Sequence, residues 1–254
     1  MRHSYPSTAS TLLHATLAVL VAAGCAGHSM RLPHIPLAAA RPAPAAGSGP
    51  AALFQEPFDR LDRSQWREVE VKGHTQYALE TLDTGTSLKA HSLGGASILL
   101  RPFRFDPDTY ARINWRWRVD RFVEGENLHR KEGSDASARV YVYFDTAGLP
   151  WQKRNIDYVW SRTLPIGTIL NSPFSKASKI IVVDSGIEHQ GTWHSVSRNL
   201  EKDYRRCFGK SGPPNVTAIG LMTDTDNTRS EALAYFDDVV ISPEPTANVG
   251  DGAP

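Results

Sequence analysis

The clearest pattern in the chain is an alternation of period two. Across Ile113–Val119, the apolar Ile113, Trp115, Trp117 and Val119 fall on one face of a strand, and Asn114, Arg116 and Arg118 on the other. Residues 138–145 repeat it, with Val140, Val142 and Phe144 inward and Arg139, Tyr141, Tyr143 and Asp145 outward. Further strands are predicted at 54–58, 66–71, 97–101, 155–160, 216–223 and 233–241, and a hairpin pairs 77–81 with 87–91 across Asp83-Thr84-Gly85. Ile180–Val183 is apolar without alternation, which suits a strand covered on both faces. Asp106-Pro107-Asp108 is a turn, and a charged loop runs from Glu124 to Asp135.

One helix is expected near 199–208. Asn199 can cap it, Glu201 and Asp203 suit its first turn, Arg205 and Arg206 its last, and Gly209 stops it. Many short alternating strands with one helix predict an all-β fold, an antiparallel jelly-roll-like β-sandwich. A parallel α/β fold would need helices between strands, and the pattern offers none.

The pattern fades toward both ends. Residues 1–24 read as a signal peptide: the apolar run from Thr11 to Ala23 is interrupted by His14 and too short to span a bilayer. Val21-Ala22-Ala23-Gly24-Cys25 resembles the bacterial lipobox, in which the cysteine is acylated after cleavage. Ala22 stands where that pattern usually carries leucine, and ordinary signal cleavage at the same small residues is the alternative. Ala26, in place of aspartate, implies within this resemblance the outer membrane. Residues 25–50 form an Ala/Pro-rich tether that begins at the lipidation candidate Cys25, and 243–254 a Pro/Gly-rich tail expected to be disordered. The folded domain is therefore expected over 51–242.

Composition narrows the partners. A net charge of +1 provides no global field for nucleic acid or an acidic membrane, so membrane contact is expected only through a lipid anchor. The only cysteines are Cys25 and Cys207; with Cys25 lipidated no intramolecular disulfide exists, and the core must hold the fold. Cys207 then reads as a small buried hydrophobe near the helix end.

Several ordered motifs resemble one family. They are Trp115-Arg116-Trp117-Arg118-Val119; Lys131 to Asp135 followed by Ala138-Arg139-Val140-Tyr141-Val142; Asn155-Ile156-Asp157-Tyr158-Val159-Trp160; Ile181-Val182-Val183-Asp184-Ser185-Gly186; Asp203-Tyr204-Arg205-Arg206-Cys207-Phe208-Gly209; Met222-Thr223-Asp224-Thr225-Asp226-Asn227-Thr228; and Tyr235-Phe236-Asp237-Asp238-Val239. In this order they resemble a bacterial exported-protein family known as a domain of unknown function, number three-zero-four-seven. That resemblance implies an envelope protein and transfers no catalytic residue. Phe58-Asp59 with Trp66, and Phe236-Asp237-Asp238-Val239, give a looser likeness to jelly-roll carbohydrate-binding modules. That likeness implies that Asp237 and Asp238 could join a calcium site with the Phe58-Asp59 region.

The candidate ligand face combines Arg116 and Arg118 with Arg139, Tyr141, Tyr143 and Asp145, provided the two strands share a sheet. Guanidinium forks and tyrosine platforms suit an acidic polysaccharide. A solvated sheet face is the alternative. Asp224 and Asp226, with Glu231 nearby, gather oxygens that could hold a structural calcium ion; a polar connection between two strands explains them as well. No other cofactor is expected. Ser185 with His189 and His194 lacks a nucleophile elbow. Metal-protease spacing, a cysteine pair and a glycine-rich phosphate loop are also missing from the sequence.

The sequence therefore predicts an exported periplasmic protein, anchored to the outer membrane by a lipidated Cys25. Its expected role is a non-catalytic module binding carbohydrate or another envelope component. Two alternatives stay open. One is a polysaccharide lyase with Arg116 or Arg139 neutralising a uronate and Tyr141, Tyr143 or His194 as base. The other is a structural or protein-interaction domain.

Overall fold

The structure, a computed structural model, describes residues 51–147, 153–209 and 211–245. The expected signal peptide, the tether with Cys25, and the tail beyond residue 245 lie outside the described residues. Along the chain run β1 (Phe54–Glu56), β2 (Arg67–Lys72), β3 (Thr75–Leu82), β4 (Gly85–Leu93), β5 (Ala96–Phe105), β6 (Arg112–Arg121) and β7 (Ala138–Phe144). Then come β8 (Asn155–Ser161), β9 (Ile169–Asn171), β10 (Ser178–Ser185), β11 (His194–Asn199), α1 (Leu200–Phe208), β12 (Val216–Met222) and β13 (Glu231–Ser242).

The strands form two sheets, as the alternation predicts. The first has the order β11-β6-β13-β4-β3, with β1 added on β13; the second has the order β2-β5-β12-β7-β8-β10-β9. All pairs are antiparallel except β8 and β10, which run parallel. The sandwich core lies between the sheets, on the tryptophan side of β6. Trp115 and Trp117 meet edge to face at 5.4 Å; Trp115 also contacts Tyr158 at 5.4 Å and Trp117 contacts Trp160 at 6.0 Å. Each aromatic removes a large apolar area from water, and truncating one of the tryptophans to alanine would cost about 3–5 kcal/mol.

A second, smaller cluster explains the unbroken apolar run on β10. Val159, Ile180 and Val182 point away from the main core and are buried under Leu128 and Ala136, with Leu164 and Leu170 against them. The charged 124–135 loop is thus a cover over one end of the second sheet. Half-buried Glu126 anchors it, accepting the backbone N–H of Arg162 and the hydroxyl of Ser161.

The helix is capped as expected: Asn199 Oδ1 accepts the Lys202 N–H at 2.8 Å, and Gly209 closes the far end at φ 101° with its N–H on Arg205 O. Leu200 and Tyr204 bury its apolar side. Cys207 is half-buried against the core, and burial pushes its thiol up to about 11.

Candidate functional site

The two strands of the expected ligand face lie in different sheets. β6 pairs with β11 and β13, and β7 with β12 and β8. Arg116 and Arg118 therefore face outward from the first sheet, and Arg139, Tyr141 and Tyr143 from the second. On the first sheet the guanidinium groups are engaged. Arg116 donates to Asp237 at 2.6 Å and lies 4.6 Å from the Trp193 ring, and Arg118 binds Asp120 through two nitrogens at 2.5 and 2.9 Å. Lys89–Glu80 and His91–Glu231 continue this lattice. Asp145 stands apart, past the end of β7, held by Arg104 at 2.7 Å and Lys153 at 2.8 Å. The six expected residues are split three ways, because period two assigns a face to each strand but not a partner strand.

The second sheet builds a groove of about 370 Å³ around its share of them. Tyr141 and Tyr143 alternate onto the outer face of β7, and their rings stack with centroids 5.7 Å apart and planes 21° apart. Register sets Gly220 of β12 opposite Tyr141 on one side, and Asp157 of β8 on the other. A β-carbon on Gly220 would lie 3.4 Å from Tyr141 Cβ and 3.5 Å from Tyr143 Cε2, so glycine leaves the tyrosines room to lie low over the sheet. Ile98 and Met222 complete the apolar floor, and Asn155, Ser172, Ser175 and Ser178 add polar groups. Val71 and Phe174, exposed at 58% and 56%, come from opposite edges of the sheet and form apolar rims.

Beneath the tyrosines lies a buried ionic network. Arg139, only 3% exposed, donates through Nε to Asp224 Oδ1 at 2.8 Å, through one terminal nitrogen to Asp157, and through the other to Ser134 O at 2.7 Å. Burial opposes its charge, yet Asp157 and Asp224 hold the guanidinium well above its ordinary range. Burial pushes the Asp157 carboxyl up against the pull of Arg139, and its buried Oδ1 makes no hydrogen bond of normal geometry. Burial, opposed by Arg139 and aided by Asp135, pushes Asp224 to about 7. Burial and then Asp157 raise the Tyr141 and Tyr143 hydroxyls far above the ordinary phenol range. Those hydroxyls are hydrogen-bond donors, not bases.

Asp224 and Asp226 meet a residue the sequence pattern did not single out, Asp135. One oxygen of each lies within 4.8 Å of the others, close enough for a shared cation. Much of the cluster is already used: Asp135 Oδ2 accepts Thr228 N–H and Oγ1–H, both at 2.7 Å, and Asp224 Oδ1 accepts the Ala136 N–H at 3.0 Å. These bonds fasten the cover loop to the β12–β13 connection. Glu231, Asp237 and Asp238 lie with the first sheet, paired to Arg121 and Arg116, and do not join.

His194 is also elsewhere. Its Nδ1 lies 2.6 Å from Asp184 Oδ2, which takes the Trp117 indole N–H at 3.2 Å, and its ring stacks on Trp160 at 4.6 Å. The pair fastens β11 of one sheet to β10 of the other. Ser185 donates to Leu164 O at 2.6 Å. The groups an elimination would need are thus not gathered: Arg139 has no free fork, the tyrosines stay protonated, and His194 lies outside the groove lining.

Strand periodicity missed the groove residues Asn155, Asp157 and Phe174, Gly220 beneath the tyrosines, and Asp135 in the network beside the groove. Gly220 carried a signal, since an isolated glycine in an apolar strand marks close approach of a neighbour. The others depend on which strands and loops become neighbours.

Known structures resemble the sandwich. The family 11 carbohydrate-binding module from Clostridium thermocellum, solved with a β-1,3-1,4-mixed-linked tetrasaccharide, is 10% identical, with 77% of this chain and 99% of that one covered and a TM-score of 0.42. The family 30 module of a cellulosomal cellulase from the same organism is 12% identical over 70% and 91%, also at 0.42. The cellulose-induced protein Cip1 is 12% identical over 74% and 96%, at 0.39. No curated protein matches the chain. Residues 64–240 match the family described as protein of unknown function (DUF3047), and the chain belongs to that family.

Proposed function

We propose that this protein is a non-catalytic carbohydrate-binding module of the bacterial envelope, and that the glycan lies in the groove of the second sheet. The observation that carries this is the Tyr141–Tyr143 pair, stacked at 5.7 Å over Gly220 and bounded by Val71 and Phe174. An aromatic face accepts the C–H face of a pyranose ring, and the tyrosine hydroxyls with Asn155, Ser172, Ser175 and Ser178 can exchange hydrogen bonds with sugar hydroxyls. Free guanidinium forks, the reason for expecting an acidic polysaccharide, are not a feature of the groove. The signal-like apolar run at Thr11–Ala23 and the lipobox-like stretch ending in Cys25 support attachment to the outer membrane, tested by loss of palmitate labelling in Cys25→Ser. A calcium ion at Asp224 and Asp226, joined by Asp135, belongs to the same reading as a structural ion, and each titration therefore has a calcium arm and a chelator arm.

The test is calorimetric titration of the full chain with neutral, acidic and amino polysaccharides. Binding to at least one class should fall by about tenfold or more in Tyr141→Ala and in Tyr143→Ala, as expected for aromatic anchors. Arg116→Ala, on the far sheet, should leave it unchanged. The reading is wrong if no glycan binds, or if both tyrosine variants keep full affinity.

A further inference from the structure

We infer that the molecule has a second sugar-binding cleft, apart from the groove, in which Arg101 holds the hydroxyls of a short neutral saccharide. The cleft, of about 450 Å³, lies between β1, the loop that follows it, and β5. Its lining shares no residue with the groove. Ile98 of the groove floor and Arg101 are three positions apart on β5, so period two sends them to opposite faces of that strand. The volume falls in the range of roughly 300–1,000 Å³ found for clefts that enclose a small molecule.

Arg101 differs from the guanidinium groups already described. Arg116, Arg118 and Arg139 are each paired with carboxylates. Arg101 makes no hydrogen bond and no ion pair among the described residues, and its buried Nε–H has no acceptor. Two rings hold it instead, with its guanidinium carbon 4.7 Å from the Phe54 centroid and 5.9 Å from that of Trp66. Burial holds this group below its ordinary range, opposed by the charges of Glu56 and Asp62. Those carboxylates spend their bonds elsewhere. Glu56 accepts the Trp66 indole N–H at 2.8 Å and the Phe58 N–H at 3.3 Å, and Asp62 accepts from Ser64 and Gln65. A fixed, partly dehydrated donor without an acceptor costs the free protein stability, and a ligand oxygen removes that cost.

The loop that walls the cleft is itself held in an unfavourable shape. Phe58 has φ 50°, a left-handed conformation disfavoured for a residue with a β-carbon. Its ring, 5.4 Å from Trp66, and its N–H on Glu56 keep it there. Charge then decides the ligand class. The lining carries two guanidinium groups, Arg60 and Arg101, against three carboxylates, Glu56, Asp59 and Asp62. A uronate or sulfate meets no net positive field, and an ammonium group meets the unpaired Arg101. A hydroxyl suits both signs, because it can accept from Arg101 while donating to a carboxylate or to the amides of Gln55 and Gln65. Leu53, 39% exposed, and Pro57 add apolar surface for the C–H face of a sugar ring.

The experiment uses the full chain with Tyr141→Ala and Tyr143→Ala, so that the groove does not contribute. The Arg101 Nε–H and Trp66 Nε1–H resonances are followed by NMR. The probes are cellobiose, xylobiose and mannobiose, with cellobiouronic acid and the glucosamine dimer as charged counterparts. At least one neutral disaccharide should shift both resonances saturably and bind about tenfold or more tightly than the charged pair. Arg101→Met keeps a polarizable side chain against both rings but removes the donors. It should weaken binding at least about tenfold, read from the Trp66 resonance, while the melting temperature of the free chain stays level or rises. Gln55→Ala with Gln65→Ala, both exposed, should also weaken binding and protects the test if Arg101→Met fails to fold. The inference is overturned if no neutral disaccharide moves the two resonances, if binding survives Arg101→Met, or if a charged sugar binds more tightly than the neutral ones. Because the groove tyrosines are already absent, none of these outcomes bears on the groove reading.

Discussion

Gly220 lies opposite Tyr141 across the β7–β12 ladder, and the tyrosine platform depends on what glycine lacks. A β-carbon there would come within 2.8 Å of Ile98 Cγ2 and 3.4 Å of Tyr141 Cβ. Ile98 is branched and has little room to turn aside, so Gly220→Ala should cost about 1–3 kcal/mol of stability. It should also lift the tyrosine rings off the sheet. The expected result is a lower melting temperature, together with weaker glycan binding measured below that temperature. Reduced stability with unchanged affinity would show that the platform does not need the glycine.

Arg139→Ala should act on folding rather than on a ligand. The guanidinium compensates two buried carboxylates, Asp157 and Asp224, and holds the Ser134 carbonyl of the cover loop. Removing one partner of a buried ion pair costs about 3–5 kcal/mol. For a domain of this size that corresponds to a fall in melting temperature of about 6–20 °C. A compensated variant, Arg139→Met with Asp157→Asn and Asp224→Asn, should recover much of it. Thermal denaturation of the single and triple variants checks this. A single variant as stable as the parent would mean the network contributes nothing.

The same two tyrosines show how far the sequence alone reaches. Alternation places Val140, Val142 and Phe144 in the core and Tyr141 and Tyr143 outward, because side-chain direction is local to a strand. Asn199 and Gly209 announce both ends of the helix, because caps are also local chemistry. Pairing is not local. Trp-Arg-Trp and Arg-Val-Tyr-Val-Tyr share a pattern, yet one strand joins each sheet, and the arginines of β6 face the opposite side of the sandwich. The short strand β9 and the polar strand β11 carry too little apolar signal to stand out; β11 is held to β6 by its ladder and by His194. Asp135 and Asp157 became visible only when register put them beside Asp224 and Tyr141.

His194→Ala should separate structure from function in the other direction. The imidazole fills the edge of the sandwich between Trp160 and Asp184 and lies in a different part of the molecule from the groove lining. Losing it leaves the buried Asp184 carboxylate with the indole N–H of Trp117 and the backbone N–H of Ser185, and opens a gap beside Trp160. A loss of about 1–3 kcal/mol is expected in chemical denaturation, with glycan affinity unchanged. If His194→Ala abolished a bond-cleaving activity instead, the lyase alternative would return.

Asp224 makes stability fall as pH rises from the ordinary carboxylate range toward neutrality. Its carboxyl is held near 7 in the folded chain against 3.8 as the ordinary value, so the folded state binds more protons between those values. By linkage its contribution declines from about pH 4 to about pH 7 and is level above that. Asp157, Asp226 and half-buried Glu126, all raised chiefly by burial, act in the same sense, as does exposed His74, raised by Glu68 and Glu70. Glu80, Asp145 and Glu244, lowered chiefly by Lys89, Lys153 and Arg112, act oppositely, losing their contribution as pH falls through their folded values. The melting temperature should therefore peak near pH 5 and be lower at pH 8. Asp224→Asn keeps an acceptor for Arg139 and the Ala136 N–H but cannot titrate, so it should flatten the decline above pH 5. A decline that survives in this variant would assign it to the other raised groups, and a melting temperature that rises from pH 5 to pH 8 would contradict the buried network as described.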